Sequence, residues 1–352
     1  MQDKVPTPPD RFHLEDIEIG RVIPFGRISV SKEDIITFAR AYDPQPMHLD
    51  EAAAKASIVG GLCASGFHSC AIMMRMLADD LLNDNWTSLG SPGIDECKWM
   101  KPLFPDQVLT GRVTCFGKRA FAKRPEVGIA KVKFEMLDQA GDVIMSWDSN
   151  QLLKVRHPER AAELESGELG PPPPKLESIW DMPEGAPPDP TRNFYEDRNV
   201  GEIYELGSHT FTKDEIVNFA RQFDPQPFHL DEAAGKASLF GGLCASGWHT
   251  AAIWIRHFVA YRQRIEQQIR DSGNVVARYG PSPGFRNLRW LKPIYPGDTI
   301  TIRGRTAAKI DLKSRPDRGL LQTDSQARNQ HGDIVFNIRG QILAERRTPY
   351  KP

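Results

Sequence analysis

The sequence predicts an α+β protein made of two copies of one domain, each a long buried helix followed by a curled antiparallel sheet. Three observations predict it. The stretch Asp43-Pro44-Gln45-Pro46-Met47-His48-Leu49-Asp50 returns as Asp224-Pro225-Gln226-Pro227-Phe228-His229-Leu230-Asp231. Each copy leads into an apolar segment of helical character, beginning near Gly66 and Gly247. Farther on, apolar residues recur at every second position, as in Ala130, Val132, Phe134 and Met136. The register of the repeat is constant, since 224 minus 43 and 247 minus 66 are both 181. A chain of 352 residues can hold two domains that each bury a core.

Taken in order, residues up to about Phe12 read as a flexible leader, and a short first strand is expected around Arg27 to Val30. Ser31 offers an N-cap, with Glu33 and Asp34 in the first turn and Ile35, Ile36, Phe38 and Ala39 as the apolar face of a helix. That helix should stop at about Tyr42, because Asp43 precedes a proline. Pro44 and Pro46 then fix two φ angles, which places a carboxylate and an imidazole on a stiff loop. Asp50 reads as the cap of one or two helical turns to Ala56, as does Asp231 in the second copy. Gly60-Gly61 is a break, and Ser65-Gly66 opens the long helix. Its residues Phe67, Ala71, Ile72, Met73, Met74 and Leu77 cover nearly the whole circumference, the mark of a helix buried on almost all sides.

Strands are expected near Lys98–Leu103, Val108–Phe116, Ala130–Met136 and Ile144–Val155, with Gly141-Asp142 as a hairpin turn. This gives a first domain over 1–156. Residues 157–190, with Pro171-Pro172-Pro173-Pro174 and many acidic side chains, have the composition of an extended linker. The second domain, 191–352, repeats the plan with a helix from about Lys213 to Phe223, a long helix from about Ser246 and strands from Phe285. Because 284 minus 93 is 191, ten extra residues lie around Tyr261 to Tyr279.

Composition excludes several classes of function. The formal net charge is −1, and no basic run is interleaved with aromatics, which argues against a nucleic-acid or anionic-membrane partner. The five cysteines form no CxxC pair and read as reduced residues of a cytoplasmic protein. The N-terminus lacks the apolar core of a signal peptide. The most apolar stretch, Ala64 to Leu82, is broken by His68, Arg75, Asp79 and Asp80, so no membrane span is expected. No further His or Cys is spaced to complete a metal site with Asp43 and His48.

The pairs Asp43/His48 and Asp224/His229 are ready general acids and bases, able to share one water and pass protons in both directions. The N–H of Gly66 or Gly247, at a helix start, adds a donor suited to a developing enolate oxygen. His68 and His249 read as packing or capping residues, and Trp99 and Trp290 as core. Arg124 and Arg315 lie at matching hairpin positions, read either as exposed turns or as phosphate contacts; Lys101 and Lys292 share that ambiguity.

The Asp-x-Gln-Pro-x-His loop, the Gly-Gly-Leu-Cys-Ala-Ser-Gly run, Ser91-Pro92-Gly93 with Ser282-Pro283-Gly284, and Trp99-Met100-Lys101-Pro102 with Trp290-Leu291-Lys292-Pro293 resemble the MaoC-like dehydratases. This is the hot-dog family that includes R-specific enoyl-CoA hydratases. The resemblance covers nearly all of both halves. It implies a double hot-dog packed as a pseudo-dimer, with no metal or redox cofactor and with CoA as part of the substrate. It also implies reversible syn hydration of a trans-2-enoyl-CoA to a 3-hydroxyacyl-CoA, usually of R configuration, and a homo-oligomer, as a dimer of double hot-dogs or higher.

Carried over, the resemblance makes Asp43, His48, Asp224 and His229 the water-activating residues. Gly66 and Gly247 would contact the thioester oxygen, with Ser65, Ser246, Gln45 and Gln226 beside the substrate. Those hydratases usually carry Asn at the positions of Gln45 and Gln226, and His at those of Ser65 and Ser246. Two other functions compete: a hot-dog thioesterase, which would use an acidic residue on the long helix, and a non-catalytic subunit binding acyl-CoA or acyl-carrier protein. The two acyl pockets are expected to differ, because Trp254, Ile255 and His257 replace Met73, Met74 and Met76.

Overall fold

The computed structural model describes residues 11–171, 174–175, 177–182, 189 and 191–351; residues 1–10 of the expected leader and part of the proline-rich stretch lie outside them, while Phe12 at the leader's end bridges to Trp86. The first half contains β1 (Val22–Ser29), α1 (Lys32–Tyr42), α2 (Gly66–Leu77), β2 (Gly93–Trp99), β3 (Val108–Phe121), β4 (Arg124–Leu137) and β5 (Val143–Lys154). The second repeats it as β6 (Ile203–Thr210), α3 (Lys213–Phe223), α4 (Gly247–Asp271), β7 (Gly284–Trp290), β8 (Thr299–Asp311), β9 (Arg318–Asn329) and β10 (Ile334–Glu345). This is the double hot-dog. One sheet runs through both halves in the order β1-β3-β4-β5-β2-β7-β10-β9-β8-β6.

The halves join where β2 meets β7 antiparallel, pairing Ile94 with Leu288 and Cys97 with Phe285. Gly93 and Gly284 sit at the two ends of this seam with φ of 152° and 144°, where an added Cβ would run into the carbonyls of Leu288 and Cys97. Ion pairs from Arg286 to Glu96 (2.6 Å) and from Arg289 to Asp95 cross the seam.

Local chemistry accounts for the helix boundaries. Ser31 accepts from the N–H of Asp34, whose carboxylate accepts in turn from the N–H of Ser31, a complete capping box. In α2 every residue from Phe67 to Leu77 except Arg75 is buried. Aromatic side chains of both halves interlock behind these helices: His68 stacks on Phe38 at 4.4 Å and His249 on Phe219 at 4.6 Å, as the packing reading expected.

Three boundaries differ from expectation. β1 begins at Val22 rather than Arg27, because Gly26, at φ 66°, inserts a register shift that breaks the alternation. β2 ends at Trp99 because Pro102 has no N–H for the ladder, while the N–H groups of Met100 and Lys101 converge on the Ile144 carbonyl. The two long helices also part company. A π turn at Ala78–Leu82 closes α2, whereas the ten inserted residues carry α4 on to Asp271, about 37 Å in all.

The proline-rich connection does more than span a gap. Ser166–Gly167 add a short strand beside β3. Trp180 lies between the guanidinium groups of Arg303 and Arg328, at 4.6 and 4.2 Å. Gln326 holds the backbone on both sides, accepting from Ile179 N–H and donating to the Glu177 carbonyl.

Candidate active site

Each half presents the same constellation where a helix gives way to the proline loop. Asp43 is the C-cap residue of α1, and His48 sits on the short turn Pro46–Leu49 that Pro46 starts. Both side chains are buried. Nδ1 of His48 lies 2.7 Å from the carbonyl of Cys63, and a carbonyl can only accept, so the ring proton is on Nδ1. In the neutral ring Nε2 then turns a lone pair toward Asp43 Oδ2, 3.8 Å away. The second half repeats this, with His229 Nδ1 donating to Cys244 at 2.7 Å and Nε2 at 3.5 Å from Asp224 Oδ2. Two acceptors at that separation do not bond each other; one water donating a hydrogen to each satisfies both.

Ser65 and Gln45 are turned to the carboxylate, and Gln45, like Gln226 in the second half, also lines the cavity. The hydroxyl of Ser65 donates to Asp43 Oδ2 at 2.5 Å while its oxygen caps α2 by accepting from Phe67 N–H. Gln45 Nε2 donates to Oδ1 at 2.9 Å. Ser246 and Gln226 hold Asp224 in the same way, at 2.6 and 2.9 Å. Two charge-assisted bonds thus fix each carboxylate in place.

Gly66 and Gly247 open the long helices, and a first-turn N–H has no acceptor within its own helix. A Cβ at either position would overlap the indole of Trp99 or Trp290. These two tryptophans, expected in the core, are half-buried walls of the cavities instead. Cys63 and Cys244 lie 3.7 Å from the histidine rings but are no nucleophiles. Burial first, then the nearby aspartate, pushes their thiols up to about 11 and about 12.

Each constellation opens on a cavity walled by the opposite half. Asp43, His48 and Gly66 face a space of about 590 Å³ whose far side is Trp254, Phe258 and Arg262 of α4. Asp224, His229 and Gly247 face about 250 Å³, closed by Met74 and Leu77 of α2 and by Phe134 and Trp147. Sequence reasoning recognised that Met74 and Ile255 differ, but not that each lines the cavity of the other half's site. His257 lines neither; it packs against Gly207. Lys101 and Lys292 stand at the open edges, paired with Asp142 at 2.6 Å and Asp333 at 2.7 Å. Arg124 and Arg315 are at exposed hairpin ends, paired with Glu126 and Asp317, and line neither cavity. Among the described residues no three His, Cys, Asp or Glu side chains are grouped to hold a metal ion, and no helix is long and apolar enough to cross a membrane.

The fold and its paired acid–imidazole loops define a tandem hot-dog protein of the dehydratase type. The MaoC like domain matches residues 16–135 and 197–323, and the chain belongs to the MaoC-like dehydratase family. The Bacillus subtilis protein YdeM is 30% identical over 141 residues, which is 40% of this chain and 98% of YdeM. A MaoC domain protein dehydratase from Chloroflexus aurantiacus superposes with a TM-score of 0.77 at 15% identity, covering 97% of this chain and 99% of that one. A Mycobacterium tuberculosis protein described as having a double hotdog fold matches with a TM-score of 0.65 at 14% identity, over 95% and 98% of the two chains. At those identities the two structures speak for the fold.

Proposed function

We propose that both sites catalyse reversible addition of water to a trans-2-enoyl-CoA, giving a 3-hydroxyacyl-CoA. The observation that supports this most is the twice-built pair of acceptors, Asp43 Oδ2 with His48 Nε2 and Asp224 Oδ2 with His229 Nε2. A water held by both turns its oxygen lone pair outward, toward C3 of a thioester whose carbonyl oxygen rests on Gly66 or Gly247 N–H. As the O–C3 bond forms, the electron pair of the double bond moves to the carbonyl, and the enolate oxygen is stabilised by that N–H and the helix behind it. One water proton passes to Nε2 or the carboxylate, and a proton from the same pair is delivered to C2. Oxygen and proton come from one face, so addition is syn, and the two groups end in their starting protonation states.

Decay of the conjugated enoyl-thioester absorbance with crotonyl-CoA tests the reading. The protein should turn over this substrate, and Asp43→Asn combined with Asp224→Asn should lower the rate about a hundredfold or more, the scale of a lost general acid–base group. A double variant as active as the parent would overturn the assignment.

A further inference from the structure

Two buried donors without a partner lie on one face of α4, and the hydration reading leaves both unused. Trp254 is 4% exposed, lines the first cavity, and its Nε1–H makes no hydrogen bond. Tyr261 is 8% exposed and its hydroxyl is likewise unpartnered. It lines a smaller space of about 50 Å³ that adjoins the first cavity and shares Phe258, Arg262, Thr323 and Ile342 with it. Seven residues apart, the two donors stand two turns from each other, about 10 Å along the helix. Burial raises the phenol pKa, so Tyr261 keeps its proton. The first half has no equivalent: Met73 stands where Trp254 does, and Asp80, at the place of Tyr261, is exposed and accepts from Gly26 N–H.

A buried donor left unpaired is costly, and one in a cavity wall is satisfied when an acceptor enters. We propose that the first site takes acyl chains bearing a neutral oxygen function, a ketone or hydroxyl, remote from the thioester, whose donor is Trp254 or, where the chain reaches the adjoining space, Tyr261. This rests on the hydratase reading for the identity of the thioester end. The nearby cations argue for a neutral group. Arg262 is paired with Glu266 at 2.9 Å and Arg198 with Glu202 at 3.2 Å, so an entering carboxylate would bring an uncompensated charge into a buried space.

Calorimetric titration of the Asp224→Asn protein with saturated thioesters reads the preference without turnover. The probes are decanoyl-CoA, its ketone at the penultimate carbon, and the corresponding ω-carboxylate. The ketone should bind about tenfold tighter than decanoyl-CoA, the gain of one satisfied buried donor, and Tyr261→Phe or Trp254→Phe should shrink that ratio. The thermal midpoint of Tyr261→Phe without ligand should equal or exceed that of the parent, because an unpartnered hydroxyl is removed. Equal affinity for ketone and alkane, a preference for the carboxylate, a ratio indifferent to both variants, or a fall of several degrees in Tyr261→Phe would each overturn the proposal. Hydration of crotonyl-CoA by the same protein is assayed in parallel. Its failure counts against the hydratase reading, while the binding ratio still decides the ligand.

Discussion

At the first site Asp43, His48 and Gly66 look across to Trp254 and Phe258; at the second, Asp224, His229 and Gly247 look across to Met74, Leu77, Phe134 and Trp147. The groups that would hold water are superimposable in kind and partner, down to the serine, the glutamine and the cysteine carbonyl. The groups that would meet an acyl chain are not. In the second half Ser325 and Ile338 occupy the sheet positions of Phe134 and Trp147, and Gly340 that of Ser149. Phe134 and Trp147 line the second cavity, of about 250 Å³, whereas neither Ser325 nor Ile338 lines the first, of about 590 Å³, where Gly340 does. The repeat keeps the acid–imidazole constellation in register, while the walls that each half supplies to its neighbour's cavity differ.

The largest test of that contrast is by chain length. Asp43→Asn should lower hydration of trans-2-decenoyl-CoA about a hundredfold, since the roomy site alone admits the chain, whereas Asp224→Asn should leave most of it. On crotonyl-CoA, which fits both cavities, each single variant should keep about half the parent rate. A decenoyl rate that depends on Asp224 would show that volume does not sort the substrates.

Acid stability should not tell the halves apart. Burial holds His68 and His249 down at about 3, far below the ordinary 6.5. The unfolded imidazole takes up a proton below 6.5 and the buried one does not until about 3, so stability is full above 6.5 and falls as pH drops through that window. By pH 5 each histidine should cost about 2 kcal/mol. Denaturant unfolding between pH 7 and 5 measures it, and His68→Phe and His249→Phe should flatten the slope equally.

Ser65→Ala and Ser246→Ala should each reduce the activity of their own site about tenfold, the worth of one hydrogen bond to a carboxylate. With Asp224→Asn or Asp43→Asn silencing the other site, kcat reads each effect alone. Unequal losses would break the symmetry of the water-handling shells.

The legible part of this molecule was local. Ser31 and the Asp43-Pro44 step set the ends of α1 because caps and pre-proline sterics act over a few residues. The bond from Ser65 to Asp43 was not legible, because the partners are 22 residues apart and only the fold directs that hydroxyl inward. Cross-walling was invisible for the same reason: the repeat identifies Ile255 as the counterpart of Met74 but not which cavity either enters. The start of β1 was hidden by the Gly26 bulge, and the docking of Trp180 by a composition that reads as linker.

The smallest effect should be at the open edges, where the sites are alike again. Lys101 is 47% exposed and paired with Asp142; Lys292 is 51% exposed and paired with Asp333. Such pairs contribute little to stability and are screened by salt, but a cation at a cavity edge still favours the approach of a phosphate-bearing CoA. Lys101→Ala and Lys292→Ala should raise KM about threefold at low ionic strength, with kcat unchanged, and the difference should vanish in high salt. Because both lysines are held by surface carboxylates, Asp142 and Asp333, the increase should be the same for short and long acyl chains at both sites. A KM effect that grows with chain length would place Lys101 or Lys292 in the acyl cavity itself, and the division between shared edges and divergent depths would fail there.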